Sequence, residues 1–378
     1  MRLAARVLSP LVATTPRQRG SRVLLLRPDH VGDVLLTAPA VGLLRTSLPD
    51  ACITYLVGPW SAAAARSGPC VDEVRTLAFP GFTRRRKANL LAPYVTLLRC
   101  ALKLRRERHD LAVVLRDDHW WGALLALAAG IPLRIGAETP ETAPLLTHAC
   151  ANTEVSAWGD RALAIARLAA QTAGASFDTL PRANTREQFT LSEAARTCSN
   201  QLWQQHGLES RRVIGLHPSA GAPLKSWPIE RWAHLADRLI ESGFGVVLIG
   251  APEDAILLGA LARRMRGSAV TLCGQSLDVS AGVYARCALL VCVDSGAGHL
   301  AAAVGTPTVR LYGPAPPEVF GPWPPRTDQC VLITRTLACA PCGYLETAPC
   351  GAHASPACML SLDVDDVWNE IRAQLGDG

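Results

Sequence analysis

Three short segments of this chain place small residues beside ionisable ones, in each case directly after an apolar run. In residues 294–299, Ser295 and Gly296 leave backbone amides free where a helix is expected to begin, and a helix start carries about half a positive charge. His299 can donate a hydrogen bond to a phosphate oxygen. Asp294 would repel a phosphate, so it fits contact with the sugar or base of a nucleotide, or an ordering role in the loop. The segment predicts an anion site, with an ordinary tight turn as the alternative.

The second segment, residues 217–228, follows an apolar run and precedes a helix expected to begin near Pro228. Its small residues allow backbone amides to approach an anion, and Lys225 places a point charge beside them. A solvated lysine in front of a proline-started helix is the alternative.

The third segment, residues 27–33, contains Gly32, which allows a tight turn from strand to helix, and Asp33, where the helix begins. An aspartate at this position can simply cap the helix, and that is the structural alternative. The segment is not a G-x-G-x-x-G loop, which argues against a nicotinamide-dependent dehydrogenase.

The elements that carry these segments alternate between short β-branched runs and amphipathic stretches. The predicted strands are residues 23–27, 53–57, 73–77, 111–115, 213–217, 245–250, 270–272, 289–293 and 308–312, and the predicted helices include residues 34–45, 228–242, 253–264 and 298–304. This alternation indicates an α/β fold of two successive doubly wound, Rossmann-like domains facing a cleft between them. Ligands bind such sheets at the carboxyl ends of the strands, where all three segments lie.

The alternation is interrupted before residue 188, where Pro181 and scattered polar residues indicate a linker. We predict an N-terminal extension at residues 1–21, an N-terminal domain at residues 22–180, a linker at residues 181–188 and a C-terminal domain at residues 189–378. The C-terminal domain ends in a cysteine-rich tail, and packing against the N-terminal domain is one alternative for its final helix.

Taken together, the segments resemble those of the ADP-heptose:lipopolysaccharide heptosyltransferases, glycosyltransferase family nine, over nearly the whole chain from Arg22 onward. The residues that carry the resemblance are 27–39, 215–218 with 225–228, 249–253, 294–307 and 311–314. The set is specific as an ordered whole, and it favours the functional interpretation of each segment over its structural alternative.

The resemblance implies a GT-B architecture, with the donor in the C-terminal domain and the acceptor mainly in the N-terminal domain. It implies an inverting glycosyltransferase that needs no metal or other cofactor and moves a heptose-type sugar from a nucleotide-diphosphate donor to a glycolipid or lipopolysaccharide core. Asp33 matches the family's catalytic base. The positions that match donor-binding residues are Lys225, Ser295, Gly296 and His299 for the diphosphate, Glu253 for the ribose, and Asp294. A catalytically degenerate sugar-nucleotide-binding partner protein is the alternative, and the presence of Asp33 argues against it.

Composition limits the class of protein. The chain has 378 residues, of which 49% are hydrophobic and 19% charged, as in a globular protein of two domains. The formal net charge of +6 permits a polyanionic partner without requiring one. No uninterrupted apolar run of about 18 residues is present, so we expect no membrane span. We expect a cytoplasmic protein, with a peripheral position at the inner face of the membrane as the alternative.

Four of the thirteen cysteines, Cys339, Cys342, Cys350 and Cys358, lie close together near the C-terminus. Such a group could hold zinc or an iron–sulfur cluster. Free thiols or labile disulfides are the alternative, and catalysis is not expected to need a metal here.

A basic stretch runs from Arg75 to Arg108, with ten basic residues and one acidic residue. It contains the cluster Arg84, Arg85, Arg86 and Lys87, followed by basic and apolar residues at helical spacing. A solvated helix face is one interpretation. Contact with an anionic membrane surface or a phosphorylated glycolipid acceptor is the other. Nucleic acid is not expected, because no binding motif accompanies the charges.

Overall fold

The computed structural model describes residues 21–68, 71–83, 91–151, 157–175, 189–323, 329–335 and 337–376. The chain divides into two compact units, Met1–Gln188 and Phe189–Gly378. Three predicted features lie outside the described residues: nearly all of the N-terminal extension, the linker at 181–188, and the cluster Arg84, Arg85, Arg86 and Lys87.

The described residues of the first unit form a six-stranded parallel sheet with the order β3-β2-β1-β4-β5-β6. Its strands are β1 (Arg22–Arg27), β2 (Cys52–Val57), β3 (Glu73–Thr76), β4 (Leu111–Val114), β5 (Leu133–Ala137) and β6 (His148–Cys150). Its helices are α1 (Val31–Ser47), α2 (Ala62–Ser67), α3 (Ala92–Glu107), α4 (Trp120–Ala128) and α5 (Trp158–Thr172). The chain reverses its direction across the sheet between β1 and β4, which are hydrogen-bonded neighbours.

The described residues of the second unit form another six-stranded parallel sheet, with the order β12-β11-β10-β7-β8-β9. Its strands are β7 (Val213–His217), β8 (Gly245–Gly250), β9 (Val270–Cys273), β10 (Leu289–Val293), β11 (Thr308–Leu311) and β12 (Cys330–Ile333). Its helices are α6 (Glu193–Gln205), α7 (Ile229–Glu241), α8 (Ala255–Arg264), α9 (Leu277–Arg286), α10 (Gly296–Ala303), α11 (Pro317–Phe320), α12 (Ala357–Leu360) and α13 (Val364–Leu375). Here the reversal falls between β7 and β10, and ligands of doubly wound sheets bind at such reversals.

The central strands are buried because helices cover both faces of each sheet. All five residues of β10 are buried, and so are five of the six residues of β1. In the first unit, α1 packs against α5, and α3 packs against α4. These apolar runs are the signal from which the strands were predicted.

The final helix belongs to the second unit. Val364, Val367, Trp368 and Ile371 of α13 lie in the same core cluster as residues of β10, β11 and α7. The apolar face of this helix therefore contributes to the second core, and its packing against the N-terminal domain stays a prediction.

Each of the nine strands listed from the sequence is present, within one residue at either end. Three strands were not predicted, and each lacks a long apolar run. β5 contains an arginine and a glycine, β6 has three residues, and β12 has four. Among the described residues, no helix combines the length and the apolar character needed to cross a bilayer.

Candidate active site

Asp33 lies in the first turn of α1, just beyond the carboxyl end of β1. The helix begins at Val31 and His30 is its N-cap residue, so Asp33 is not the capping residue assumed by the structural alternative. Its side chain is 30% exposed, which leaves the carboxyl open to a ligand. The carboxyl ends of β1 and β4 lie side by side, so residues that follow β4 can reach Asp33.

Two arginines and a second aspartate surround Asp33. Arg27, the last residue of β1, is fully buried, and its Nε lies 2.8 Å from Asp29 Oδ2. Its Nη2 lies 3.9 Å from Asp33 Oδ1. Arg116, which follows β4, pairs through Nη1 with the other carboxylate oxygen of Asp29. Asp29 therefore offsets much of the positive charge that would otherwise act on Asp33.

The positions of these charges are fixed by neighbouring groups. The guanidinium of Arg27 lies 4.6 Å from the ring centroid of Trp158, a cation–π distance. The backbone carbonyl of Asp29 accepts hydrogen bonds from Trp60 Nε1 at 2.8 Å and from Ser61 Oγ at 3.0 Å. The loop between β1 and α1 is thus held by side chains that follow β2.

The electrostatic environment makes Asp33 a stronger base than a solvated carboxylate. Burial raises the pKa of Asp33 above its ordinary value, and the negative charge of Asp29 raises it further. Arg27, Arg116 and His30 oppose the rise without cancelling it. A carboxylate with a raised pKa binds a proton more readily at neutral pH, which suits a general base.

In the second unit, the structure brings together two of the predicted residues, Lys225 and Asp294. Lys225 ends a 3₁₀ turn, Pro223–Lys225, that follows β7, whereas Asp294 directly follows β10. Lys225 Nζ lies 2.5 Å from Asp294 Oδ2, and the two side chains are only 18% and 7% exposed. Because β7 and β10 are adjacent, the sheet's reversal point holds this ion pair. Asp294 therefore orders the loop and positions the lysine.

Ser295 and Gly296 lie at the start of α10, as predicted. Ser295 is the N-cap, and its side chain makes no capping hydrogen bond. Its hydroxyl is buried and has no hydrogen-bond partner among the described residues. The first amides of α10 are therefore available to an anion at the end of β10, and the buried Ser295 hydroxyl beside them keeps an unused hydrogen-bond donor.

The first turn of α10 rests on a buried arginine. Arg310 of β11 is 1% exposed, and its Nη2 donates to the carbonyl oxygen of Gly298 at 2.7 Å. Its Nε donates to Thr308 Oγ1 at 3.1 Å. Within the described ranges, no carboxylate forms an ion pair with Arg310. Its charge therefore adds to the positive potential at the start of the helix.

His299 is partly buried and contacts Arg310. Its Nδ1 lies 3.5 Å from Arg310 Nη1, and because a guanidinium only donates, Nδ1 is the acceptor. Burial and the charges of Arg310 and Lys225 lower the pKa of His299 well below its ordinary value, while a hydrogen bond to the Phe320 backbone opposes the shift. The imidazole is therefore neutral at pH 7, and it links Arg310 to the chain near α11.

A buried hydrogen-bond chain connects the loops after β7 and β8. Ser219 Oγ donates to Asp254 Oδ2 at 2.7 Å, since a carboxylate can only accept. The oxygen of Ser219 then accepts from His217 Nε2 at 3.2 Å, which leaves His217 Nδ1 to accept from the Tyr284 hydroxyl at 3.3 Å. Burial lowers the pKa of His217 to about 4. The imidazole is therefore neutral at pH 7 and can keep one donor and one acceptor in this chain of hydrogen bonds.

Glu253 lies on the exposed 3₁₀ turn Pro252–Asp254 after β8. Its carboxylate forms no hydrogen bond or ion pair with another residue in the described ranges. It is separate from the Lys225–Asp294 pair but projects from the same edge of the same sheet, since β8 pairs with β7.

The cysteine-rich tail does not provide a metal centre in the described part of the chain. No group of three or more histidine, cysteine, aspartate or glutamate residues there is arranged to hold a metal ion. Cys339, Cys342, Cys350 and Cys358 are free thiols, and Cys358 is buried. The choice between a bound metal and free thiols or disulfides at these cysteines stays open as a prediction.

Sequence reasoning did not identify Arg116, Arg310 or the His217 chain. The signal for Arg310 was present, since an arginine inside an otherwise apolar buried strand needs a reason to be there. Arg27 carries the same signal at the end of β1. The pairing of Arg116 with Asp29 had no signal in sequence, because the two residues meet only through the adjacency of β1 and β4.

Solved structures share this fold. A glycosyl transferase family 9 protein from Veillonella parvula superimposes with a TM-score of 0.75 at 22% identity, covering 96% of this chain and 99% of that one. The ADP-heptose lps heptosyltransferase II of Escherichia coli superimposes with a TM-score of 0.72 at 24% identity, covering 94% and 99%. The predicted two-domain α/β GT-B fold class is thereby confirmed.

Sequence comparison identifies the family. Residues 97–346 match the family model described as Glycosyltransferase family 9 (heptosyltransferase). The lipopolysaccharide heptosyltransferase 2 of Escherichia coli K12 is 30% identical over 331 residues, which cover 83% of this chain and 88% of the relative. The lipooligosaccharide heptosyltransferase 2 of Haemophilus ducreyi is also 30% identical, over 82% and 88% of the two chains. The predicted resemblance is confirmed: this chain belongs to glycosyltransferase family 9, the heptosyltransferases, and is a glycosyltransferase.

Proposed function

We propose that this enzyme transfers a heptose from ADP-heptose to the core of a lipopolysaccharide, with inversion at the anomeric carbon and without a metal ion. The name of the structural relative from Escherichia coli specifies that donor and that acceptor. The observation that carries the proposal is the Lys225–Asp294 pair beside the free start of α10, at the strand-order reversal of the second sheet. A base of raised pKa occupies the equivalent position in the first sheet.

In the proposed reaction, Asp33 accepts the proton of the acceptor hydroxyl while that oxygen attacks the anomeric carbon of the donor. The bond from the anomeric carbon to the diphosphate oxygen breaks, and ADP leaves with the bonding electron pair. A correctly placed general base contributes about 10²–10⁴-fold to such a step. Attack opposite the leaving group inverts the configuration.

The leaving diphosphate gains negative charge, and the second unit supplies positive charge without a metal. Lys225 and the amides at Ser295 and Gly296 are the proposed diphosphate ligands, and His299 is proposed to act behind them through its contact with Arg310. Arg310 lies behind them and is held by the carbonyl of Gly298. Fixed donors aimed at developing charge stabilise a transition state because they need no rearrangement during the reaction.

The remaining donor contacts are assigned by position. Glu253, unpaired at the end of β8, is the proposed partner of the ribose hydroxyls. Asp294 is proposed to act through Lys225, since its Oδ2 already contacts that ammonium. We place the acceptor on the N-terminal unit, because Asp33 lies there.

We further propose that the enzyme works in the cytoplasm at the inner face of the membrane, where a nucleotide sugar and a nascent glycolipid can meet. Membrane contact through Arg84, Arg85, Arg86 and Lys87 stays a prediction, since these residues lie outside the described ranges.

Transfer can be tested with purified protein, lipopolysaccharide from a heptose-deficient strain, and ADP-heptose or other nucleotide sugars. We expect the acceptor to gain the mass of one heptose. This gain should require ADP-heptose and should not change when a chelator is added. Loss of turnover on chelation that is restored by a metal would refute metal independence. Donor binding without transfer to any lipopolysaccharide acceptor would support the degenerate binding protein instead.

A further inference from the structure

The helix α3 buries only a narrow face. Leu97, Ala101 and Leu104 lie in the core cluster of the first unit, packed toward α4. These residues recur at i, i+4 and i+7, which is the spacing of a single helix face. The remaining surface of this 16-residue helix points away from its own core.

A second apolar face of α3 is exposed. It consists of the N-cap residue Leu91 and of Tyr94, Val95, Leu98 and Leu102, which are 66%, 57%, 45%, 59% and 53% exposed. Among the described residues, nine large hydrophobic side chains are exposed, and these five form one contiguous stripe at helical spacing. An exposed apolar patch of this kind marks an interaction surface, whereas isolated exposed residues do not.

Basic residues border the stripe. Arg99, Lys103 and Arg106 are exposed on the side of the helix away from the core. They follow the basic cluster of the preceding segment in the sequence. An apolar face beside lysine and arginine is the pattern of a helix that lies in the interface of an anionic bilayer, with its apolar side chains among the acyl chains.

We propose that α3 docks the enzyme on an anionic membrane surface, with the stripe inserted at the headgroup boundary and the basic residues contacting lipid phosphates. The inference deepens the proposed function, since it assigns the surface through which the enzyme reaches a membrane-embedded acceptor. Charge favours the bilayer over a second copy of this chain, because pairing two such faces would bring the same cations together. The stripe runs for about 16 Å along the helix, which suits shallow insertion and is far short of a span.

The test is partition of the full-length protein onto vesicles, measured by sedimentation without donor or acceptor. Vesicles containing phosphatidylglycerol are compared with vesicles of phosphatidylcholine alone. The apolar variant is Tyr94→Gln/Leu98→Gln/Leu102→Gln. Its matched control, Tyr344→Gln/Ile256→Gln/Leu360→Gln, changes three exposed apolar side chains of the second unit.

The charge variant is Arg99→Gln/Lys103→Gln/Arg106→Gln. Its control replaces the same number of exposed basic residues in the second unit: Arg196→Gln/Arg211→Gln/Arg263→Gln. Both pairs of variants change only exposed side chains, and circular dichroism with thermal melting checks that each one folds.

We expect wild type to bind anionic vesicles and the apolar variant to lose about tenfold or more in partition. The charge variant should lose roughly a hundredfold, since each basic residue near the surface contributes about fivefold. The controls should bind like wild type, and added salt should weaken binding. All variants should retain transfer to a deacylated, water-soluble acceptor.

Equal losses in the control variants would overturn the proposal, as would binding that ignores lipid charge. A change in oligomeric state with unchanged vesicle partition would assign the stripe to a second copy instead. These outcomes are independent of the proposed reaction, because failure of heptose transfer would leave the vesicle measurements intact.

Discussion

At the scale of single residues, the carboxyl of Asp33 resists ionisation more than a carboxyl in water does. Burial and the charge of Asp29 produce this effect, and Arg27 moderates it from 3.9 Å. In its proposed role as the base, Asp33 must be ionised to accept a proton, so we expect its pKa to set the lower pH limit of activity. Asp29 is therefore a positioning residue that also adjusts the strength of the base.

The pH profile follows from this arrangement. We expect kcat/KM to fall as the pH drops through a value above the ordinary range of aspartate, because protonated Asp33 cannot act. Asp29→Asn removes a neighbouring negative charge and lowers the pKa of Asp33. The acid limb should then move to lower pH, and the maximum rate should fall because the base is weaker. Asp118→Asn, which alters an exposed partner of Arg116, is the control; an acid limb that Asp29→Asn does not move would exclude Asp33 as the titrating group.

Substitutions in the Lys225–Asp294 pair can distinguish the contribution of Lys225 to ADP binding from its contribution to stability. Lys225→Met should raise the Kd for ADP by about 10–100-fold, since a charged hydrogen bond is lost. It should also lower the melting temperature, because Asp294 is left buried without its partner. The double variant Lys225→Met/Asp294→Asn should recover much of the stability and none of the affinity. Calorimetry and thermal melting measure the two effects, and recovered ADP affinity in the double variant would contradict a direct role for the lysine.

Residues at strand ends could be predicted because the alternation of strands and helices shows where each strand stops. Lys225 and Asp294 were found in this way. Their mutual contact could not be predicted, since it depends on β7 lying beside β10, which is a property of strand order. Arg310 was missed for a different reason: its strand was predicted, but a charged residue in a buried strand can be explained only once its hydrogen-bond partners are known.

At the scale of elements, the position of α10 depends on close packing under its first turn. In α10, an added Cβ at Gly298 would lie 2.9 Å from Arg310 Nε and 3.0 Å from Cys292 Sγ. A glycine at this position therefore lets the helix start approach the buried guanidinium. The proposed anion site depends on that approach.

Gly298→Ala is expected to displace the first turn of α10 and to cost about 1–3 kcal/mol of stability. The Kd for ADP should rise with it, because the amides of the helix start shift from their positions. Gly259→Ala in α8 is the matched control, since its nearest contact is an ordinary 3.5 Å to Arg263 Nη1. That change should be neutral or stabilising, as alanine favours a helix. Equal effects of the two substitutions on ADP binding would argue against the packing account.

Three strands were not predicted from the sequence, because their residues do not form a long apolar run. β6 and β12 are edge strands of their sheets, whereas β5 lies between β4 and β6. Edge strands are covered less completely, so they need fewer apolar residues and show weaker patterns. β5 was missed although it is an interior strand, because Arg134 and Gly136 interrupt its apolar run. Most of the other interior strands were found because burial on both faces demands continuous apolar runs.

At the scale of the whole molecule, an ionisable group that serves a reaction also affects folding. Because the pKa of Asp33 is raised in the folded state, its ionisation costs stability at pH values above that pKa. Asp33→Asn should therefore melt at the same temperature as wild type or higher at pH 7. The difference should disappear as the pH falls below the ordinary pKa of aspartate, where the wild-type group is protonated in both states. Melting curves across this range check the sign, and a lower melting temperature at neutral pH would contradict the raised pKa.

In the proposed function the two units carry complementary chemistry, a base in one and a cationic anion site in the other. The proposal therefore predicts that loss of the base leaves donor binding intact. It also predicts that an exposed aspartate of the same unit, such as Asp50, is not needed for the reaction.

The most direct measurement is single-turnover heptose transfer by Asp33→Asn, with ADP-heptose affinity determined on the same preparation and Asp50→Asn as control. We expect the transfer rate to fall by about 10²–10⁴-fold while the Kd for ADP-heptose stays within about twofold of wild type. Asp50→Asn should match wild type in both quantities. Transfer by Asp33→Asn at close to the wild-type rate would contradict the account.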